Sequence, residues 1–122
     1  FLVKNLRSPR VGVCLDTAHA FEFGYNLKEK KGLEKSLDEF DREIGLEKLL
    51  AVHANDSKTP FLSGLDRHEN IGEGSIGLEG FRLIVNHPSL SSLPFIIETP
   101  GFARRGPDRK NIEILRDLSN QV

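Results

Sequence analysis

Three short apolar runs constrain this chain more than any other feature: VGVCL at 11–15, LLAV at 49–52 and FII at 95–97. Each is continuous rather than alternating in polarity, the pattern of a parallel strand covered on both faces. Each also stops at a side chain able to bind a metal: Asp16, His53 and Glu98. In barrels and open α/β sheets, sites are built at the carboxyl edge of the strands, where the strands converge and the following loops are free to vary. Taken singly, the plainer readings are that Asp16 caps the next helix, His53 is a satisfied core histidine and Glu98 is solvated. The same coincidence at three strand ends weakens all of them.

Helical spacing fills the intervals. Residues 32–44 carry Leu33, Leu37, Phe40 and Ile44, and residues 78–85 carry Leu78, Phe81, Leu83, Ile84 and Val85. After Pro107 and Asp108, residues 111–118 place Ile112, Leu115 and Leu118 on one side of a last helix. The order is β-α-β-α-β-α, an α/β fold, with loops at 72–75 and 100–107. At 122 residues and 38% hydrophobic content the chain has the size of one domain. Its net charge of -1 leaves no global basic field, so any contact with nucleic acid must be local. Cys14, flanked by Val13 and Leu15, predicts a buried, reduced thiol in an intracellular (cytoplasmic), soluble protein, with no apolar stretch long enough to cross a bilayer. The chain has no methionine, even at position 1, and opens in mid-pattern at residues 1–6, which predicts a piece of something longer.

More ligand types accompany the strand ends. Asp66 and His68 form an Asp-x-His pair, and in extended backbone residues two apart point the same way, leaving Arg67 to face elsewhere. Asp16 and His19 lie about one turn apart after the first strand. His87, in the sequence Asn86-His87-Pro88, reads as a surface or capping residue at a helix end. Imidazole with carboxylate suits zinc or manganese. Asp16, His19, His53, Asp66, His68 and Glu98 are too many ligands for one tetrahedral zinc, so they suggest more than one metal, a grouping suited to phosphate ester hydrolysis.

The stretches GVCLDTAH (12–19), HANDSK (53–58), DRH (66–68), IGEG (71–74) and IETP (97–100) resemble, in order, the successive signatures of the endonuclease IV family of zinc-dependent apurinic/apyrimidinic endonucleases. The likeness covers essentially the whole chain, but corresponds to the C-terminal portion of a family member, about three of the eight βα units of a TIM (β/α)8 barrel; residues 1–122 would then be a partial barrel domain lacking its N-terminal half. The resemblance implies a trinuclear zinc site. Asp16, His53 and Glu98, which the resemblance marks as catalytic, would hold one zinc, with a bridging glutamate from an earlier strand. His19, Asp66 and His68 would supply all the protein ligands of a second zinc. The third zinc would depend on that glutamate and two histidines upstream of Phe1. The implied reaction is hydrolysis of the phosphodiester 5' to an abasic site in duplex DNA by a zinc-activated hydroxide, leaving a 3'-hydroxyl and a 5'-deoxyribose phosphate, by an enzyme that is a monomer when intact. Lys58 and Arg67 are the candidate DNA-backbone contacts. Arg104, Arg105, Arg109 and Lys110 form a second basic cluster that need only solubilise the last loop and helix.

The chain departs from the family pattern at Ala18, where cysteine or glycine is usual, and at Leu62 and Gly64, where glycine and then a polar or basic residue are usual. These changes are expected to alter how the loop meets DNA rather than whether zinc binds. Two alternatives stand beside the nuclease. One is a metal-dependent sugar isomerase or epimerase on the xylose isomerase-like barrel, which would not need His19, Asp66 and His68 together. The other is an inactive fragment that only binds zinc, because three strands cannot close a barrel.

Overall fold

The computed structural model describes residues 10–121, so the opening stretch at 1–6 lies outside the described residues. The three apolar runs form a parallel sheet of β1 (Val13–Asp16), β2 (Leu49–His53) and β5 (Phe95–Ile96), in the order β1-β2-β5. Neighbours in the sheet are successive units of the chain, as in a barrel wall. The β1 to β2 crossover carries α1 (Thr17–Glu22) and α2 (Lys30–Glu43), and the β2 to β5 crossover carries α3 (Gly77–Asn86). Helix α4 (Arg109–Ser119) follows the last strand. A small antiparallel pair, β3 (Asp56–Ser57) with β4 (His68–Glu69), stands after β2 and was not foreseen from the sequence.

The helices cover one face of the sheet. Leu33 and Leu37 of α2, Phe81 and Ile84 of α3, and Leu115 and Leu118 of α4 bury their side chains with Leu49 and Val52 of β2. Burying each such side chain stabilises the fold by about 1.5–3 kcal/mol before conformational entropy is charged against it. Ile112, expected on the buried side of α4, is 40% exposed, and Ile114 packs on the core instead.

Among the described residues no element covers the other face of the sheet, and this corrects the expectation for Cys14. The register pairs Cys14 with Ala51 and Asp16 with His53, and His53 with Ile96. Partners in register point the same way, and so do residues two apart. Cys14 therefore shares the face of Asp16 and His53, not the face under the helices. It is exposed, as is Ile96, and lines a groove of about 380 Å³ beside β1 with Phe23, Tyr25 and Phe40.

Asp56 organises the loop that leads into α3. Its fully buried carboxylate accepts from the backbone N–H groups of Gly72 (2.9 Å), Gly74 (3.0 Å) and Ile76 (2.9 Å). Gly74 has no room for a side chain there, since a Cβ would sit 2.3 Å from the Ser57 carbonyl oxygen. Loss of solvent raises the Asp56 pKa, and these backbone donors act against that rise.

Candidate metal centre

Asp16 ends β1 and begins α1, and its two carboxylate oxygens do different things. Oδ1 accepts from the His19 backbone N–H at 3.1 Å, which caps α1. Oδ2 faces the cluster, 3.4 Å from His68 Nε2 and 4.0 Å from His53 Nδ1. The capping reading and the ligand reading of this residue are thus compatible. His53, at the end of β2, brings Nδ1 to 3.0 Å from Glu98 Oε1. Glu98 lies two residues past β5, because its backbone N–H is taken at 2.8 Å by the Asn55 side chain instead of by a strand neighbour.

The Asp-x-His pair arrives from the β3–β4 hairpin. Asp66 Oδ1 is 3.6 Å from His68 Nε2, and its Oδ2 is 3.9 Å from His19 Nδ1. The intervening Arg67 turns its backbone N–H the other way, toward Glu22. The His19 ring stacks on Phe23 at 4.5 Å. All six candidate ligands therefore meet in one chain of contacts at the carboxyl edge of the sheet. Among the described residues, Asp16, His68 and Glu98 bring one ligand atom each within 4.8 Å of one another, a set that draws on both of the groups assigned to separate ions from the sequence.

These residues fit a divalent cation on three counts. Zinc–ligand bonds of about 2.0–2.1 Å at tetrahedral angles place ligand atoms about 3.4 Å apart, close to the 3.6 Å between Asp66 and His68. His68 Nδ1 lies 3.2 Å from the Glu98 carbonyl oxygen; donating there leaves the lone pair of the neutral ring on Nε2, which faces the carboxylates, as metal-bound histidines are commonly held. Three carboxylates gathered against imidazoles carry an excess of negative charge that a divalent ion would balance.

Around these side chains lies a ring of buried polar groups that the sequence reading passed over. Asn55 donates from Nδ2 to Asp16 Oδ2 (3.3 Å) while its Oδ1 takes the Glu98 N–H, so one amide spaces two candidate ligands from different strands. Thr17 Oγ1 donates to the Asn55 carbonyl (2.6 Å) and accepts from the Asn55 N–H (3.0 Å), fixing the β1–α1 turn against the end of β2. Both residues are fully buried. The available signal was their type: polar residues adjoining ligands inside DTAH and HANDSK.

Lys58 and Arg67 are exposed and sit opposite each other on the hairpin, joined by a backbone hydrogen bond of 3.2 Å. Leu62, at the loop tip, has φ +64°, a left-handed conformation that glycine adopts without strain. In the second basic cluster, Arg104 pairs with Glu69 at 3.0 Å and Lys110 lies 4.1 Å above the Phe102 ring. His87 closes α3 as its C-cap, in keeping with a capping role, but its side chain is only 12% exposed and pairs with Glu34 at 2.8 Å, so it is not a surface residue. Among the described residues no helix is long and apolar enough to cross a membrane.

The profile of the xylose isomerase-like TIM barrel family matches residues 1–118. Probable endonuclease 4 of Halothermothrix orenii is 50% identical over 107 residues, which are 88% of this chain and 38% of that protein. Probable endonuclease 4 of Aquifex aeolicus is 46% identical over 117 residues, 96% of this chain and 41% of that protein. The crystal structure of endonuclease IV from Thermus thermophilus superposes with a TM-score of 0.77 at 37% identity, over 91% of this chain and 39% of that one. The chain thus spans about two fifths of the length of the relatives it matches. On this fold, this edge-of-sheet cluster and these likenesses, the chain belongs to the endonuclease IV family of xylose isomerase-like TIM barrels.

Proposed function

We propose that this chain is the part of a zinc-dependent DNA repair endonuclease that supplies six of its metal ligands, and that the whole enzyme hydrolyses the phosphodiester 5' to abasic sites in duplex DNA. The observation that carries the reading is the meeting of Asp16, His19, His53, Asp66, His68 and Glu98 in one cluster, built from three strand ends and a hairpin.

In this reading Asp16, His53 and Glu98 hold one zinc, and His19, Asp66 and His68 hold another. Bound zinc supplies a water acidic enough to ionise near neutral pH and a positive charge against the phosphate oxygens. The protein side chains then have three tasks: the carboxylates balance the charge of the ions, the imidazoles fix their positions, and none need act as a nucleophile. Lys58 and Arg67, exposed on the hairpin that also carries His68, hold the DNA backbone by its phosphates without reading sequence. A sugar isomerase on the same barrel has no comparable use for the second group, His19 with Asp66 and His68.

The test is an incision assay on duplex DNA containing one abasic site, run on this chain and on the chain extended upstream to the length of its relatives, with zinc measured by elemental analysis. Incision by the extended chain, leaving a 3'-hydroxyl, with zinc and incision both lowered by Asp66→Ala or His68→Ala, is the expected result. Normal zinc content and normal cutting in those variants would remove the two residues from the site. Sugar isomerisation without incision would replace the nuclease reading.

A further inference from the structure

Glu22, the last residue of α1, is fully buried. A carboxylate is costly in such a place unless its oxygens are hydrogen-bonded. Here Oε2 lies 2.5 Å from Ser57 Oγ and 3.2 Å from Thr59 Oγ1, and both oxygens lie 3.3 Å from the Arg67 backbone N–H. The same corner ties the loop by its backbone: the Gly64 N–H donates to the Glu22 carbonyl at 2.9 Å, and the Leu62 N–H to the Phe21 carbonyl at 3.4 Å.

The placement of these contacts is the point. Helix α1 carries His19 and starts at Asp16, while Arg67 is the residue between Asp66 and His68. The loop 58–67 that brings Asp66 and His68 to the cluster lacks regular structure and has left-handed residues at Leu62 (φ +64°) and Gly64 (φ +72°). Such a loop must be held if its two ligands are to arrive at one separation from His19. An apolar side chain could fill the space of Glu22, but would leave the Arg67 N–H and the two hydroxyls without this shared acceptor.

We propose that Glu22 is a positioning residue for the metal site, a buried tether that fixes the Asp66–His68 arm against the helix bearing His19. The proposal rests on the reading that this cluster holds zinc, and it concerns how tightly and in what geometry the ion is held.

The experiment uses this chain with zinc, its affinity measured by competition with a chromophoric chelator, and with cobalt(II), whose visible bands report coordination geometry. Glu22→Ala is expected to weaken zinc binding by about ten- to a hundredfold, the usual range for a residue supporting a ligand, and to change the cobalt bands. Glu22→Gln, which keeps an oxygen acceptor for the Arg67 N–H, is expected to recover most of that loss. If Asp66→Ala and His68→Ala leave zinc affinity untouched, the metal-site reading itself fails. If those two weaken binding while Glu22→Ala alters neither affinity nor cobalt bands, the tether alone is overturned. Should Glu22→Ala lose the wild-type far-ultraviolet circular dichroism, the double change Ser57→Ala with Thr59→Val decides instead. A loss of zinc affinity with altered cobalt bands supports the tether, and unchanged binding and bands overturn it.

Discussion

Replacing Asn55 by alanine should damage the fold and the metal site together, by an amount the geometry lets one work out. The change removes the acceptor of the Glu98 N–H (2.8 Å) and the donor to Asp16 Oδ2 (3.3 Å), while the backbone bonds between Asn55 and Thr17 remain. Leaving a backbone donor unpaired costs about 1–3 kcal/mol, and a hydrogen bond to a charged group contributes about 1.5–3 kcal/mol. The Asp16 bond is long and both sites are only partly buried, so the low ends apply, and together they come to about 2.5 kcal/mol. For a domain of this size that corresponds to a fall in Tm of about 10 °C. Because Asp16 and Glu98 both lose their spacer, zinc affinity should fall by about tenfold or more. Thermal melts followed by circular dichroism without zinc, paired with chelator competition, measure the two effects. A fall in Tm under about 3 °C with unchanged zinc affinity would refute the argument that this amide sets the spacing of the two carboxylates.

Two further predictions concern charge. In the chain extended to the length of its relatives, Lys58→Ala and Arg67→Ala should each weaken DNA binding to a similar degree on any sequence and lower the salt slope by about 1; an unchanged salt slope would show that neither touches phosphate. Asp108 accepts from the Phe102 N–H (2.7 Å) and caps α4 through the Asn111 N–H (3.1 Å), and these bonds, in that order, hold its carboxyl below the ordinary value of 3.8. A depressed acid contributes stability that is present above the unfolded pKa and lost as pH falls through the folded one. The gap in Tm between the wild type and Asp108→Ala should therefore be full at pH 7 and shrink on acidification below about pH 4. A gap that stayed constant or widened there would contradict the assignment.

The strands and the gathering of the candidate ligands were legible because their signals are local. Continuous apolar runs ending in Asp16, His53 and Glu98 mark parallel strands and their carboxyl edge, and Asp66 with His68 needs only the two-residue period of extended chain. Cys14 was misread for a physical reason. Apolar neighbours show that a residue lies in a strand, but not which face it takes, and register puts Cys14 on the open face with Asp16. The β3–β4 pair was hidden because two residues per strand give no period to detect. Asn55, Thr17 and Glu22 escaped notice because their roles depend on partners distant in sequence, such as Glu98 for Asn55 and Arg67 for Glu22. Leu62 was expected to depart from the family pattern, and its φ of +64° is a conformation that glycine would adopt without strain.

Zinc K-edge X-ray absorption on the zinc-loaded chain tests the central claim most directly. The cluster predicts a first shell of nitrogen and oxygen only, at about 2.0–2.1 Å, with the imidazole contribution reduced in His68→Ala. A sulfur ligand at about 2.3 Å, which would have to come from Cys14, or a shell indifferent to His68→Ala, would contradict it.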